Sequence, residues 1–226
     1  MTFSLGVRDP ETGAFGSVIA SSSPSVAARC VHLRDGVGVV HTQNVTDPRL
    51  GPALLDLLES GLEAGDALAA LLAAETATEF RQLTVVDSAG RTALHSGERS
   101  LGIVASWRPS AGDAVAAGNM LATDAVPRRL VEGFDSASGP LERRLLAGLA
   151  AALAEGGEAG PIHSAGLSVV TDAGWRVTDL RVDWSEDPVG DLGRLLDVWL
   201  PQRDDYVLRA LDPARSPGYG VPGDDR

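Results

Sequence analysis

The sequence contains no lysine, and all 19 of its basic residues are arginine. Enzymes that hold pyridoxal phosphate or a substrate as a Schiff base need a lysine amine. The phosphate-binding P-loop also needs a lysine. These classes of protein are therefore excluded.

Cysteine and long apolar runs are also scarce. Cys30 is the only cysteine, so it cannot form an internal disulfide, and we interpret it as a buried structural thiol. There is no run of 18 apolar residues, and no basic-then-apolar leader precedes Phe3. The sequence predicts no membrane span, no membrane partner and a cytoplasmic location.

The chain has fewer basic than acidic residues. The formal net charge is −12, from 31 acidic and 19 basic residues. Surfaces that bind nucleic acid or anionic lipid need clustered cations, so we expect no nucleic-acid partner. With 44% hydrophobic residues among 226, the chain can bury one sizeable core, and we expect a single domain over residues 1–226.

Several catalytic signatures are missing as well. The four histidines have no metal-ligand spacing, and neither His-Glu-x-x-His nor Cys-x-x-Cys occurs. There is no Gly-x-Ser-x-Gly elbow. The pair Gly36 and Gly38 lacks the third glycine and the helix of a dinucleotide site. We therefore expect no metal and no cofactor.

The most informative residue that is present is Thr2. Once Met1 is removed, Thr2 carries a hydroxyl nucleophile and an α-amine whose ordinary pKa is about 7.7–8.0, close enough to neutrality to accept the hydroxyl proton. In an extended strand, Phe3 and Leu5 face one side while Thr2 and Ser4 face the other. A plain first strand without chemistry explains the same residues.

The chain order predicts strands, a helix pair, strands, a helix pair and strands again. Such an order is what two stacked sheets covered by helices on both outer faces require. We expect strands from Thr2 and over 14–21, an extended region after Ser25 that ends in residues 36–44, and strands over 81–87, 91–96, 101–107, 113–121, 164–171 and 176–184. We expect helices over 48–61, 64–74, 124–136, 140–155 and 188–200.

Short motifs spread along the chain carry a family resemblance. They are M-T-F-S-L-x-x-R-D-P-E-T-G at the start, then G-V-G-V-V-H-T-Q from Gly36, D-P-R-L-G-P from Asp47, G-N-M-L from Gly118, R-A-L-D-P from Arg209 and G-V-P-G-D from Gly220. In their order and spacing the chain resembles the domain of unknown function family 1028, which is similar in fold to the N-terminal-nucleophile (Ntn) hydrolases.

That resemblance implies an α/β fold, a four-layer αββα sandwich of the Ntn-hydrolase type. The Pro- and Gly-rich end of the sequence predicts an irregular C-terminal tail from about residue 203, and exposed sheet edges with Leu-rich helices predict a homo-oligomer, namely a homodimer. The resemblance also implies an amidohydrolase that cleaves a small amide or ureide through Thr2, with a small-molecule substrate. The alternative is a catalytically inactive Ntn-fold binding or assembly module.

Two residues are candidates to assist Thr2. Ser21 ends the second strand, where it is suited either to orient the terminal amine or to cap a turn. His32 lies roughly where proteasome-like chains place a lysine, and it would tune the amine pKa or hold a substrate carboxylate. A core or surface histidine is the simpler interpretation of His32.

Four residues are candidates to bind substrate. Thr42, Gln43 and Asn44 end a strand at the expected mouth of the site, where amide groups would hold an oxyanion. Asn119 places an amide in an otherwise apolar strand. If buried, this amide needs a hydrogen-bond partner, which a substrate amide or a structural group of the protein would supply equally well.

Two departures from the resembled family favour the inactive alternative. Relatives often carry a Cys-x-x-Trp-Ala-Gly-like segment where this chain has residues 99–102, and a glutamine where it has Ala117. Both changes remove polarity from the expected pocket.

Overall fold

The first two strands form the hairpin that the sequence predicts, with Phe3 opposite Ala20 and Val7 opposite Gly16. The computed structural model describes residues 1–224, which form a mixed α/β structure with two antiparallel sheets. The strands of the first sheet are, in spatial order, β10 (Arg176–Val182), β9 (Ser164–Val170), β2 (Phe15–Ser21), β1 (Thr2–Arg8), β8 (Ala114–Asn119) and β7 (Ala105–Trp107). The strand that begins at Thr2 therefore lies inside the sheet.

The second sheet has four strands. They are, in spatial order, β3 (Val31–Arg34), β4 (Gly38–Asn44), β5 (Arg81–Asp87) and β6 (Thr92–Ser96). The α-helices are α1 (Val26–Cys30), α2 (Leu50–Glu59), α3 (Ala64–Ala74), α4 (Val126–Ser136), α5 (Leu141–Ala154) and α6 (Pro188–Leu211). In residues 1–224, none of these helices is both long and apolar enough to cross a membrane.

The side chains of β1 alternate between an apolar face and a polar face of the strand. Phe3, Leu5 and Val7 are fully buried in a cluster with residues of α4, α5 and α6. On the opposite face, Gly6 lies so close to the second sheet that an added methyl group would come within 3.2 Å of Val39 Cγ1. The hairpin therefore packs on helices with one face and on β4 with the other.

The two sheets share a small apolar cluster, which comprises Phe15, Val39, Val86, Val115 and Val170. The other face of the second sheet buries Val40, Leu83 and Val85 against α2 and α3. Cys30 is buried, as expected for a structural thiol, and burial raises the pKa of its thiol.

Three predicted boundaries were wrong. Residues 26–30 form helix α1 where an extended segment was expected, and β7 begins at Ala105 rather than at 101. Helix α6 continues through Pro201 to Leu211, so the irregular tail does not begin at 203. The Trp199 and Tyr206 rings, on either side of the proline in the sequence, stack at 5.3 Å. Residues 225 and 226 of the predicted tail lie outside the described residues.

Candidate active site

Thr2 lies at the start of β1 between two polar neighbours. It is directly opposite Asn119 on β8, and the hairpin register places it beside Ser21 on β2. The Thr2 Oγ1 atom is 3.4 Å from Ser21 Oγ, and both hydroxyls donate to the carbonyl oxygen of Met1. Thr2 is only 5% exposed, so Met1 and the neighbouring strands cover the hydroxyl.

Ser21 serves the local turn as well. Its Oγ accepts a hydrogen bond from the Ser23 backbone N–H at 3.0 Å, and its carbonyl accepts one from the His163 N–H at 2.8 Å. The hydroxyl therefore caps the turn, which is one of the two predicted roles, and it also faces the Thr2 hydroxyl. Its predicted role in orienting the amine of Thr2 stays a prediction.

Glu158 is a neighbour that the sequence reasoning missed. It is 3% exposed, and both of its carboxylate oxygens accept from the Ser22 backbone N–H, at 3.1 and 3.2 Å. Burial raises the pKa of Glu158 to about 7, against the charge of the chain's amino terminus and the hydrogen bonds from Ser22, which lower it. The sequence feature that could have indicated Glu158 is a single carboxylate in a glycine-rich turn, between Gly157 and Gly160.

Behind Thr2, a network of amides connects the two sheets. Ser4 Oγ donates to Gln43 Oε1 at 2.9 Å, and Gln43 Nε2 donates to Gln82 Oε1 at 2.7 Å. Asn119 Nδ2 donates to the same Gln82 oxygen at 3.1 Å. Ser4, Gln43, Gln82 and Asn119 are all fully buried, so this network replaces apolar packing between the sheets.

The orientation of these amides follows from a backbone carbonyl. The Gly118 oxygen can only accept, so Gln82 presents its Nε2 there, at 3.0 Å. Gln82 Oε1 must then be the acceptor for both other amides. Asn119 consequently presents its nitrogen to Gln82, and its Oδ1 has no hydrogen-bond partner among the described residues.

His41 lies between the sheets without reaching Thr2. Its Nε2 is 2.7 Å from Ser17 Oγ and its Nδ1 is 3.0 Å from Thr84 Oγ1. Burial lowers the pKa of His41 to about 3, so the ring is neutral at physiological pH. It acts as a structural link.

The structure does not bring His32, Thr42 and Asn44 to Thr2. His32 is opposite Val40 in the ladder and its ring lies against Gly51 at the start of α2, where burial lowers the pKa of the imidazole. The Thr42 hydroxyl lies 3.1 Å from Thr46 Oγ1. Because side chains alternate along a strand, Thr42 cannot share the face of Gln43.

Asn44 has a structural role at the end of β4. Its Nδ2 donates to the Phe80 carbonyl and its Oδ1 accepts from the Leu101 N–H at 3.2 Å. Both ends of the Asn44 amide are therefore engaged, the nitrogen with the turn that ends at Phe80 and the oxygen with the loop at Leu101. Of the predicted residues, Thr2, Ser21 and Asn119 come together at one end of the sheet, with Gln43 behind them.

A cavity of about 540 Å³ lies at the other end of the hairpin, lined by Asp9, Thr12, Glu142 and Arg203 among others. Thr2 and Asp9 are seven residues apart, roughly 23 Å along a strand. Thr2, Ser21 and Asn119 do not line this cavity.

Comparison with known proteins finds a matching family and, among other solved structures, the two that follow. The model of the family of unknown function DUF1028 matches residues 2–192. A crystal structure of protein SPO2555 from Silicibacter pomeroyi, of the same family, is 29% identical with a TM-score of 0.81, over 87% of this chain and 88% of that one. Anbu, the ancestral beta-subunit, from Yersinia bercovieri is 11% identical with a TM-score of 0.41, over 88% of this chain and 97% of that one. No curated protein matches this chain significantly.

Proposed function

This chain belongs to the family of unknown function DUF1028, and from that premise we propose that it is an N-terminal-nucleophile hydrolase of a small amide or ureide, with Thr2 as nucleophile. The observation that carries the proposal is the placement of Thr2. Its hydroxyl lies at the start of an interior strand, 3.4 Å from Ser21 Oγ and beside the orphaned oxygen of Asn119.

The fold part of the proposal is a single domain with a four-layer αββα sandwich. The apolar cluster shared by the two sheets supports it, as do the helices α2 and α3 on one side and α4, α5 and α6 on the other. In such a sandwich the first strand belongs to one of the two facing sheets, and its amino-terminal end would open to substrate once Met1 is removed.

The proposed reaction needs only the chain's own groups. The Thr2 α-amine accepts the hydroxyl proton as Oγ1 bonds to the substrate carbonyl carbon. The proton passes to the leaving nitrogen as the C–N bond breaks, which leaves an ester on Thr2. Water then hydrolyses that ester and restores the hydroxyl.

Ser21 and Glu158 are the proposed assistants, since the chain has no lysine beside Thr2. The Ser21 hydroxyl would orient the amine of Thr2. Glu158 is a buried acid whose pKa is affected by the charge of the chain's amino terminus, and its carboxylate would stabilise the ammonium that forms when the Thr2 amine accepts the hydroxyl proton. His32, Thr42 and Asn44 have no part in this proposal because of where they lie.

One observation favours the alternative of an inactive binding or assembly module. The Met1 carbonyl oxygen accepts from both the Thr2 and the Ser21 hydroxyls, so a retained Met1 would block nucleophile and amine alike. Gln43 also uses both ends of its amide within the network, which removes one expected oxyanion donor.

The mass of the intact native protein tests the proposal. We expect loss of one methionine and, after incubation with an amide-directed electrophile, a single adduct that maps to Thr2. Thr2→Ala should abolish the adduct and should lower any turnover by at least about 100-fold. Thr2→Ser keeps a hydroxyl and should retain both the adduct and the turnover. A retained Met1 with no adduct would instead favour the inactive module.

We also propose a cytoplasmic homo-oligomer. Exposed apolar side chains on α6, namely Leu195, Val198 and Leu211, are what a second copy would cover. Sedimentation analysis of the purified protein tests the assembly.

A further inference from the structure

Asn119 carries a buried hydrogen-bond acceptor that the protein leaves unused. The residue is fully buried, and its Oδ1 has no partner among the described residues. An unpaired buried polar atom costs about 1–3 kcal/mol, so such an atom in a native protein calls for an explanation.

The alternative orientation of the amide is excluded by the network. Gln82 Nε2 donates both to the Gly118 carbonyl and to Ser96 Oγ, each at 3.0 Å. If Asn119 were turned by 180°, two oxygens, Asn119 Oδ1 and Gln82 Oε1, would face each other without a proton. The unpartnered atom is therefore an oxygen, and its missing partner is a donor.

The position of this oxygen connects it with the proposed nucleophile. Thr2 and Asn119 are directly opposite on antiparallel strands, so their side chains share a face with Cβ atoms about 5 Å apart. Met1 lies over this end of β1, with its methyl group near Gly160. Removal of Met1 would open the end of the sheet beside both side chains.

We propose that Asn119 Oδ1 accepts a hydrogen bond from a substrate N–H, so that the site selects amides and ureides that carry an N–H over fully N-alkylated amides and esters. The role of this hydrogen bond in a reaction rests on the proposed function. The binding of a substrate N–H does not, because it needs no reaction at Thr2. It assigns Asn119 as an acceptor for the substrate nitrogen, whereas an oxyanion would need a donor.

Binding without reaction tests the inference. The protein is the full chain as Thr2→Ala with Met1 removed, and the probes are N-methylacetamide and N,N-dimethylacetamide, which differ by one N–H. We expect N-methylacetamide to bind about fivefold or more tightly and to shift the side-chain resonances of Asn119. When Asn119→Ala is added to this variant, the two acetamides should bind with equal affinity.

Two further variants serve as controls. In Asn119→Asp, burial without a cation favours a protonated carboxyl, whose O–H would donate to Gln82 Oε1 in place of the amide. Its second oxygen would then remain an acceptor, so the preference should be kept even if Asn119→Ala does not fold. Ser96→Ala removes another bond of the same network and should leave the preference intact.

Equal affinities in the parent protein, or a preference that survives Asn119→Ala, would overturn the inference. So would an unshifted Asn119 resonance or the absence of measurable binding by either probe. If the parent protein binds the two probes equally and Asn119→Ala changes the pKa of the residue 2 amine, the oxygen accepts from that amine and the inference is overturned. Failure of the proposed reaction is seen separately, as the absence of an adduct on Thr2.

Discussion

Two buried titratable residues, His41 and Glu158, depart from their ordinary pKa values in opposite directions. The pKa of His41 falls from 6.5 to about 3, and that of Glu158 rises from 4.5 to about 7, in both cases chiefly because burial disfavours the charged form. As pH falls below 6.5, the unfolded chain binds a proton at His41 that the folded chain does not, so stability is lost. As pH rises from 4.5 through 7, the folded chain keeps a proton on Glu158 that the unfolded chain releases, so stability is also lost. The two slopes cancel between about pH 4.5 and 6.5.

Glu158→Gln should make the loss of stability at falling pH steeper. With the opposing group removed, we expect the free energy of unfolding to fall more steeply than in the parent, by about 1.4 kcal/mol per pH unit from 6.5 to 4.5, since one more proton is bound on unfolding. Urea denaturation at several pH values measures this slope in the variant and in the parent. Glu98→Gln, at an exposed turn, is the control and should leave the slope of the parent. Equal slopes in Glu158→Gln and the parent would contradict the prediction.

At the scale of elements, the long helix α6 is held by contacts on both sides of Pro201. Arg203 Nη1 binds Glu142 Oε1 at 2.7 Å, and the Glu142 side chain is 1% exposed. The Thr178 hydroxyl donates to the same Glu142 oxygen at 2.8 Å and accepts from Trp199 Nε1 at 3.0 Å. Trp199 therefore holds α6 to β10 before the proline, and Arg203 holds it to α5 after the proline.

Arg203→Met should destabilise the protein by about 3 kcal/mol, because it leaves a buried carboxylate without its cation. The combined change Arg203→Met with Glu142→Gln should recover most of that loss. Thermal or urea unfolding of both variants gives the measurement. Equal losses in the single and double variants would show that packing, rather than the unpaired charge, is responsible.

The local patterns of the sequence predicted many of these elements well, and misjudged others for identifiable reasons. Helix α3 spans the predicted residues 64–74, and the β1–β2 hairpin has the predicted partners, because apolar periodicity and turn residues act locally. Helix α1, with only five residues, is too short to produce a periodic signal. In α6 the proline suggested an end that tertiary contacts override.

At the scale of the whole molecule, the two sheets meet through a polar layer as well as an apolar one. Gln82 is its centre, because it binds Gln43, Asn119, Ser96 and the Gly118 carbonyl. It therefore connects β5 with strands of both sheets.

Gln82→Met should destabilise the protein by about 3 kcal/mol or more, because it leaves the Gly118 carbonyl and the Gln43 and Asn119 amides without partners in a buried layer. Ser96→Ala, which removes a single bond at an exposed residue, should cost about 1 kcal/mol or less. Urea denaturation compares the two. Similar losses would mean that solvent reaches this layer.

The sequence by itself determined the alternation that places Thr2 and Ser4 on one face of β1, the hairpin that brings Ser21 beside Thr2, and the absence of a lysine. These are properties of neighbouring residues and of composition. Only the tertiary structure decided that Asn119 lies opposite Thr2, that His32 and Thr42 face away, and that Glu158 lies buried beside Ser22. The positions of Asn119 and Glu158 depend on contacts between residues more than 100 positions apart, and those of His32 and Thr42 depend on how the second sheet packs. Burial then decides which charges and which orphaned oxygen remain.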